Sequence, residues 1–178
     1  MPYNIEEHKH RFAAWASGRA ASVKGCRFTV EQAKVIIEAV GLRRCIEDHG
    51  TLPAPAAVDA QHRLWRQIVI EEASRLGLTF THGVAAKLIN IYLKAALVCG
   101  GNHQHERIGC LHPPIDKVLL DELKHQNVGG LRKQWGAFSK AGWSNFDSDT
   151  YEAVIHSIRA SIPHAPLWEI EGHWQGHQ

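Results

Sequence analysis

The chain has 178 residues, 44% of them hydrophobic and 21% charged, with a formal net charge of +2 and an isoelectric point near 8.4. That length suits one domain, at roughly 150 residues per domain, and an ordinary globular composition argues against long disordered stretches. The chain has no run of 18 apolar residues, and its start, MPYNIEEHKHRF, lacks the apolar core of a signal peptide, so the expectation is no membrane span, no export and a cytoplasmic location.

Apolar residues recur at helical spacing nearly everywhere, and no alternating run suggests a strand. A first helix is predicted over Ile5 to Ser22, with Phe12, Trp15 and Ala16 on its inner face. A second follows Thr29, which with Gln32 makes a capping-box pattern. Val30, Ala33, Ile36, Ile37 and Val40 form its stripe, and Gly41 stops it. A helical turn spans Leu42 to Asp48, and His49 to Pro55 reads as a loop. A long helix over Ala57 to Leu76 would bury Leu64, Ile68, Val69, Ala73 and Leu76. Gly77 ends it, a tight connection covers Thr79 to Gly83, and the next helix runs from Val84 to Cys99. Gly100-Gly101-Asn102 breaks that helix, and a His-rich loop reaches His112. Pro113 and Pro114 lead into a helix over Ile115 to His125. Short helices at Leu131 to Ser139 and Ser148 to Ala160 follow, and the tail from Pro163, with Trp168 and Trp174, docks as a last short helix. The expected fold is all-α: one compact helical domain spanning 1–178, with no internal repeat.

Cys26, Cys45, Cys99 and Cys110 do not make a disulfide framework at this length and read as free thiols. The small positive charge permits nucleic-acid binding without arguing for it. Two counts stand out, 13 His and 6 Trp. Cys99, His103, His105, Cys110 and His112 have zinc-ligand chemistry, but their spacing is irregular, so a polar loop with no metal is the preferred reading. Trp15 and Trp65 fall on apolar helical faces and are expected in the core.

Residues 77–121 carry the most specific pattern. Helix, glycine-containing tight turn and helix make a helix-hairpin-helix arrangement over 77–99. Such a turn points backbone N–H groups of His82, Gly83, Val84 and Ala85 outward at a helix start, where the helix dipole adds positive charge suited to a DNA phosphate. One turn further lies Lys87, which with a lowered pKa could attack an electrophilic sugar carbon. In the segment 112–121, Asp116 follows Pro-Pro-Ile, a stiff approach that would hold its carboxylate at a helix start. Nucleophilic lysine and nearby carboxylate are what base excision needs.

On these residues the chain resembles the helix-hairpin-helix DNA glycosylases, above all the 8-oxoguanine branch and its smaller archaeal relatives. That family carries Leu-Pro-Gly-Val-Gly-x-Lys and then Pro-Val-Asp. Here the matching stretches are Thr81-His82-Gly83-Val84-Ala85-Ala86-Lys87 and Pro114-Ile115-Asp116. His82 stands for the proline, Ala85 for the second glycine, and the interval is longer by the His-rich loop. The resemblance implies a bifunctional glycosylase and abasic-site lyase, with Lys87 as Schiff-base nucleophile and Asp116 as its catalytic carboxylate. It implies double-stranded DNA as partner, a monomer, and no cofactor beyond a monovalent cation at the hairpin. The excised base is expected to be an oxidised purine or, for a small anti-phage branch, a hypermodified base such as glucosylated hydroxymethylcytosine. Base flipping needs an aromatic or apolar pocket, for which Phe80, His112, Trp143 and Trp168 are the candidates. The alternatives are a non-catalytic helix-hairpin-helix DNA-binding module, and a helical RNase or metal-binding regulator using the His-rich loop.

Overall fold

The computed structural model describes residues 3–176. Asn4 opens α1 (Ile5–Ala21), its side chain accepting from the Glu7 N–H at 2.9 Å. Thr29 and Gln32 form the expected reciprocal capping box on α2 (Val30–Val40), and Gly41 closes that helix in the left-handed conformation at φ +79°. Then come α3 (Arg44–Glu47), α4 (Val58–Arg75) and α5 (His82–Leu93). Lys94–Asn102 continues α5 as a π-helical stretch, with Gly101 at φ +94°. The rest are α6 (Glu106–Gly109), α7 (Lys117–His125), α8 (Arg132–Ala141), α9 (Ser148–Ser161) and a closing 3-10 turn, Leu167–His173. Among the described residues there is no strand, only an isolated bridge between Val23 and Cys26.

Two apolar clusters share α5. One joins α1, α2 and α4 through residues such as Ala14, Ile36, Ile37, Val69, Leu88 and Tyr92. The other joins α7, α8 and α9 through Leu119, Leu120, Trp135, Phe146, Ile155 and Ile158. Residues 83–90 of α5 are all buried, which is how a helix that is apolar all round escapes water. By length and composition the stretch His82–Asn102 could cross a bilayer, but the window that passes that test is 67% buried in the fold.

Two faces differ from the expected ones. α1 turns His10, Ala13, Ala14 and Ser17 inward, leaving Phe12 exposed and Trp15 51% exposed, their rings tilted against each other with centres 5.9 Å apart. α4 buries Val58, His62, Trp65, Arg66, Val69 and Ala73, while Leu64 is 54% exposed. Its stripe is displaced because His62 and Arg66 have polar partners waiting inside, at Asn90 and Glu152. The Gly100-Gly101 pair breaks the helical run as expected, with Gly101 in a non-helical conformation, but the turns that lead to it from Lys94 are π-helical.

Candidate active site

The start of α5 is fixed by the turn at 143–146. Thr81 caps the helix, accepting from the Val84 N–H, and donates its own hydroxyl to the Ser144 carbonyl at 2.7 Å. Gly83 donates its N–H to the Phe146 carbonyl at 3.0 Å. A Cβ on Gly83 would lie 1.8 Å from the Trp143 carbonyl oxygen, so only glycine fits this approach. The Ala85 N–H goes to the Thr81 carbonyl. The N–H groups of Gly83, Val84 and Ala85 are thus satisfied inside the protein, and the expected outward row of phosphate donors is not formed there. His82 is half-buried and lines a surface recess with Arg63, Gln67 and Ser148.

One turn on, the same rigid start delivers Lys87 to the seam between the two cores. It is 6% exposed, and its Nζ lies 3.1 Å from Asp116 Oδ2 and 5.5 Å from the centre of the Trp143 ring. Burial pulls the Lys87 pKa down, and the Asp116 charge opposes that shift. Asp116 is the N-cap of α7. Its Oδ1 accepts from the Leu119 N–H at 2.9 Å, and its Oδ2 accepts from the Trp174 indole N–H at 3.1 Å as well as from Lys87. Cap and ion-pair partner are therefore one carboxylate, used on both oxygens.

Two turns beyond Lys87, Lys94 pairs with Glu171 of the closing 3-10 turn. Burial raises the Glu171 carboxyl pKa. This pair borders an open cleft of about 690 Å³, also lined by Val98, Cys99, His103 and Trp168. The π-helical stretch presents Lys94, Val98 and Cys99 to it; π-helical turns are rare and frequently functional.

The other sequence candidates go to different places. Trp143 stands beside Lys87, and Trp168 lines the cleft. Phe80 is buried against Phe28 in the first core, with ring centres 4.9 Å apart, so its ring is spent on core packing. His112 is buried as well, bonded to Asp59 at 2.8 Å and Tyr151 at 3.0 Å. Cys99 and His103 lie on the cleft, His105 stacks edge-on to His49, and Cys110 is apart near Arg159. Among the described residues no three His, Cys, Asp or Glu side chains group as metal ligands.

Sequence reading missed Lys94, Glu171 and the contact of Trp174 with Asp116. Lys94 carried a signal, since it lies seven residues after Lys87 and so on the same helical face. Glu171 carried none. No protein-family model, curated protein or solved structure matches the chain, so the chemistry of this site rests on its own geometry.

Proposed function

We propose that the chain is a DNA glycosylase with abasic-site lyase activity, using Lys87 as nucleophile and Asp116 as its partner. The observation that carries this reading is the 3.1 Å Lys87–Asp116 pair in a largely buried setting, with burial lowering the lysine pKa. A neutral amine is the attacking form, and a desolvated lysine reaches it more easily. Asp116 takes a proton from the Lys87 ammonium. The Nζ lone pair then bonds C1′ of an extruded nucleotide as the C1′–N bond breaks. The electrons of that bond leave with the base, which takes up a proton. That proton comes from Asp116, which is then a carboxylate again and stabilises positive charge developing on the sugar. Transfer of the second Nζ proton to O4′ opens the sugar ring and gives the protonated imine; a C2′ proton then passes to Asp116 as the 3′ phosphate leaves by β-elimination, which cuts the strand. No cofactor is needed for these steps.

The cleft bordered by Lys94 and Glu171, two turns along α5 from Lys87, favours a large modified base over a plain oxidised purine. It combines an indole face at Trp168 with His103 and the Lys94–Glu171 pair, which suits a hydroxyl-rich substituent such as a glucosylated hydroxymethyl group. The partner is double-stranded DNA carrying that base. The test uses duplex DNA with a preformed abasic site and borohydride. A covalent adduct is expected with the native chain and none with Lys87→Gln, which still binds DNA. Salt-dependent binding without adduct or base release would leave the non-catalytic module instead.

A further inference from the structure

We propose that Asn90 is a positioning residue that sets the Lys87–Asp116 geometry by tying the lysine helix to the Pro-Pro approach of the aspartate. Asn90 lies one turn after Lys87 on α5. Its Nδ2 donates to the Pro113 carbonyl at 2.9 Å, three residues before Asp116. A carbonyl only accepts, so the orientation of the amide is forced. Pro113 and Pro114 leave little freedom between this bond and the Asp116 carboxylate.

Asn90 is itself held on every polar atom. Its Nδ2 also donates to the Tyr151 hydroxyl at 2.9 Å, and its Oδ1 accepts from His62 Nε2 at 2.8 Å. The Tyr151 hydroxyl then directs its hydrogen to His112 Nδ1, which leaves His112 Nε2 to donate to Asp59 Oδ1 at 2.8 Å. Asp59 is locked in turn by the two terminal guanidinium nitrogens of Arg159, each at 2.6 Å. His62 and Asp59 come from α4, Tyr151 and Arg159 from α9, and Asn90 from α5. Three helices therefore clamp residues 112 and 113, and the clamp ends at the carboxylate that faces Lys87. Within this network only His62 Nδ1 is buried without a partner; a network so nearly satisfied holds one geometry, and reaction rates depend on such geometry to within about 1 Å.

This inference rests on the Lys87–Asp116 pair being the reactive one, and its test separates the two claims. Lys87 is titrated by carbon NMR of its ε-methylene, without DNA, in the native chain and in Asn90→Leu, Asp116→Asn and His62→Phe. Asp116 holds the Lys87 pKa up, so Asp116→Asn lowers the midpoint. Asn90→Leu, which keeps the size and loses the donors, is expected to move it in the same direction by letting the carboxylate drift. His62→Phe removes one of the bonds that hold Asn90 but keeps the Pro113 bond, and is expected to move the midpoint by less than Asn90→Leu does. Asn90→Ala serves as the second variant if Asn90→Leu does not fold. On abasic DNA, Asn90→Leu should trap roughly a hundredfold more slowly at unchanged DNA affinity, the cost of a misplacement of about 1 Å. A native midpoint in the Asn90 variants, or an equal shift in His62→Phe, overturns the proposal. A shifted midpoint with no trapping by the native chain keeps the positioning role and removes the glycosylase reading.

Discussion

Trp174 donates its indole N–H to Asp116 Oδ2 at 3.1 Å, so the C-terminal segment closes over the same oxygen that Lys87 holds. In the proposed glycosylase reading, a nucleotide reaching Lys87 displaces that contact. Trp174→Phe keeps the ring and removes the donor. A hydrogen bond to a charged group contributes about 1.5–3 kcal/mol, so opening this segment becomes easier by roughly tenfold or more. Labelling of Lys87 by an amine-acylating reagent, read by mass spectrometry, should rise accordingly. Unchanged labelling would show that Trp174 does not gate the lysine.

The two uses of the Asp116 carboxylate separate by substitution. Asp116→Ala removes the cap of α7, a loss of about 1 kcal/mol. It also leaves the Lys87 ammonium buried without its partner, a change of the kind that costs about 3–5 kcal/mol. Asp116→Asn keeps an oxygen for the Leu119 N–H but loses the charge and replaces the oxygen that accepts from Lys87 and Trp174 with an NH2 donor. Urea melts should rank native, Asn and Ala in falling stability. Equal midpoints for Asn and Ala would mean the cap contributes nothing.

Much of this arrangement is legible in the sequence. Thr29 and Gln32 announce α2, and the short motifs around Gly83, Lys87 and Asp116 single out residues that do meet. What was not legible has one physical cause. Periodicity counts apolar residues, whereas α4 buries His62 and Arg66, each bonded through one nitrogen to a residue far along the chain, Asn90 at 28 residues and Glu152 at 86. The same blindness put Leu64 inside. The turn at 81–85 resembled a phosphate-binding hairpin, but the carbonyl of Phe146, far along the chain, takes the Gly83 N–H.

The tryptophans test that distinction. Trp135 is fully buried and donates to the Val128 carbonyl, whereas Trp15 stands half in solvent. Trp135→Ala should cost about 3–5 kcal/mol, as large-to-small core changes do. Trp15→Ser should change stability by no more than about 0.5 kcal/mol. Paired thermal melts decide this, and a large loss in Trp15→Ser would place that indole in an interface.

Gly83 and Gly77 differ in why they are glycine. Gly77 sits at φ +73° with open space where a Cβ would go, so Gly77→Ala meets only backbone strain, about 1–2 kcal/mol. Gly83 has no room, because the carbonyl oxygen of Trp143 occupies the place of the Cβ. Gly83→Ala must push the 143–146 turn away and break the Phe146 hydrogen bond, a loss expected to exceed about 4 kcal/mol. Circular dichroism should find Gly77→Ala folded and Gly83→Ala largely unfolded or far less stable. The reverse order would refute the close approach.

The pH dependence of stability follows from the buried network. Burial holds the pKa values of His62 and His112 below 6.5, so both are neutral in the folded chain. Their folded pKa values lie below the unfolded ones, so as pH falls below about 6.5 the unfolded chain gains protons the folded one refuses. Stability then declines by about 1.4 kcal/mol per pH unit for each such histidine. A second loss lies lower. The Arg63 guanidinium pulls the Glu152 carboxyl down to about 2, and His112 with Arg159 holds Asp59 well below the usual carboxylate range. Depressed carboxylate pKa values contribute stability above the unfolded value, and this is lost as pH falls from about 4.5 towards 2. Melting temperature should therefore fall in two limbs, one below pH 6.5 and a steeper one below pH 4.5. His112→Gln removes one titrating group and can still donate to Asp59, so it should flatten the upper limb alone. An upper limb of native slope in His112→Gln would mean that His112 is already charged in the fold.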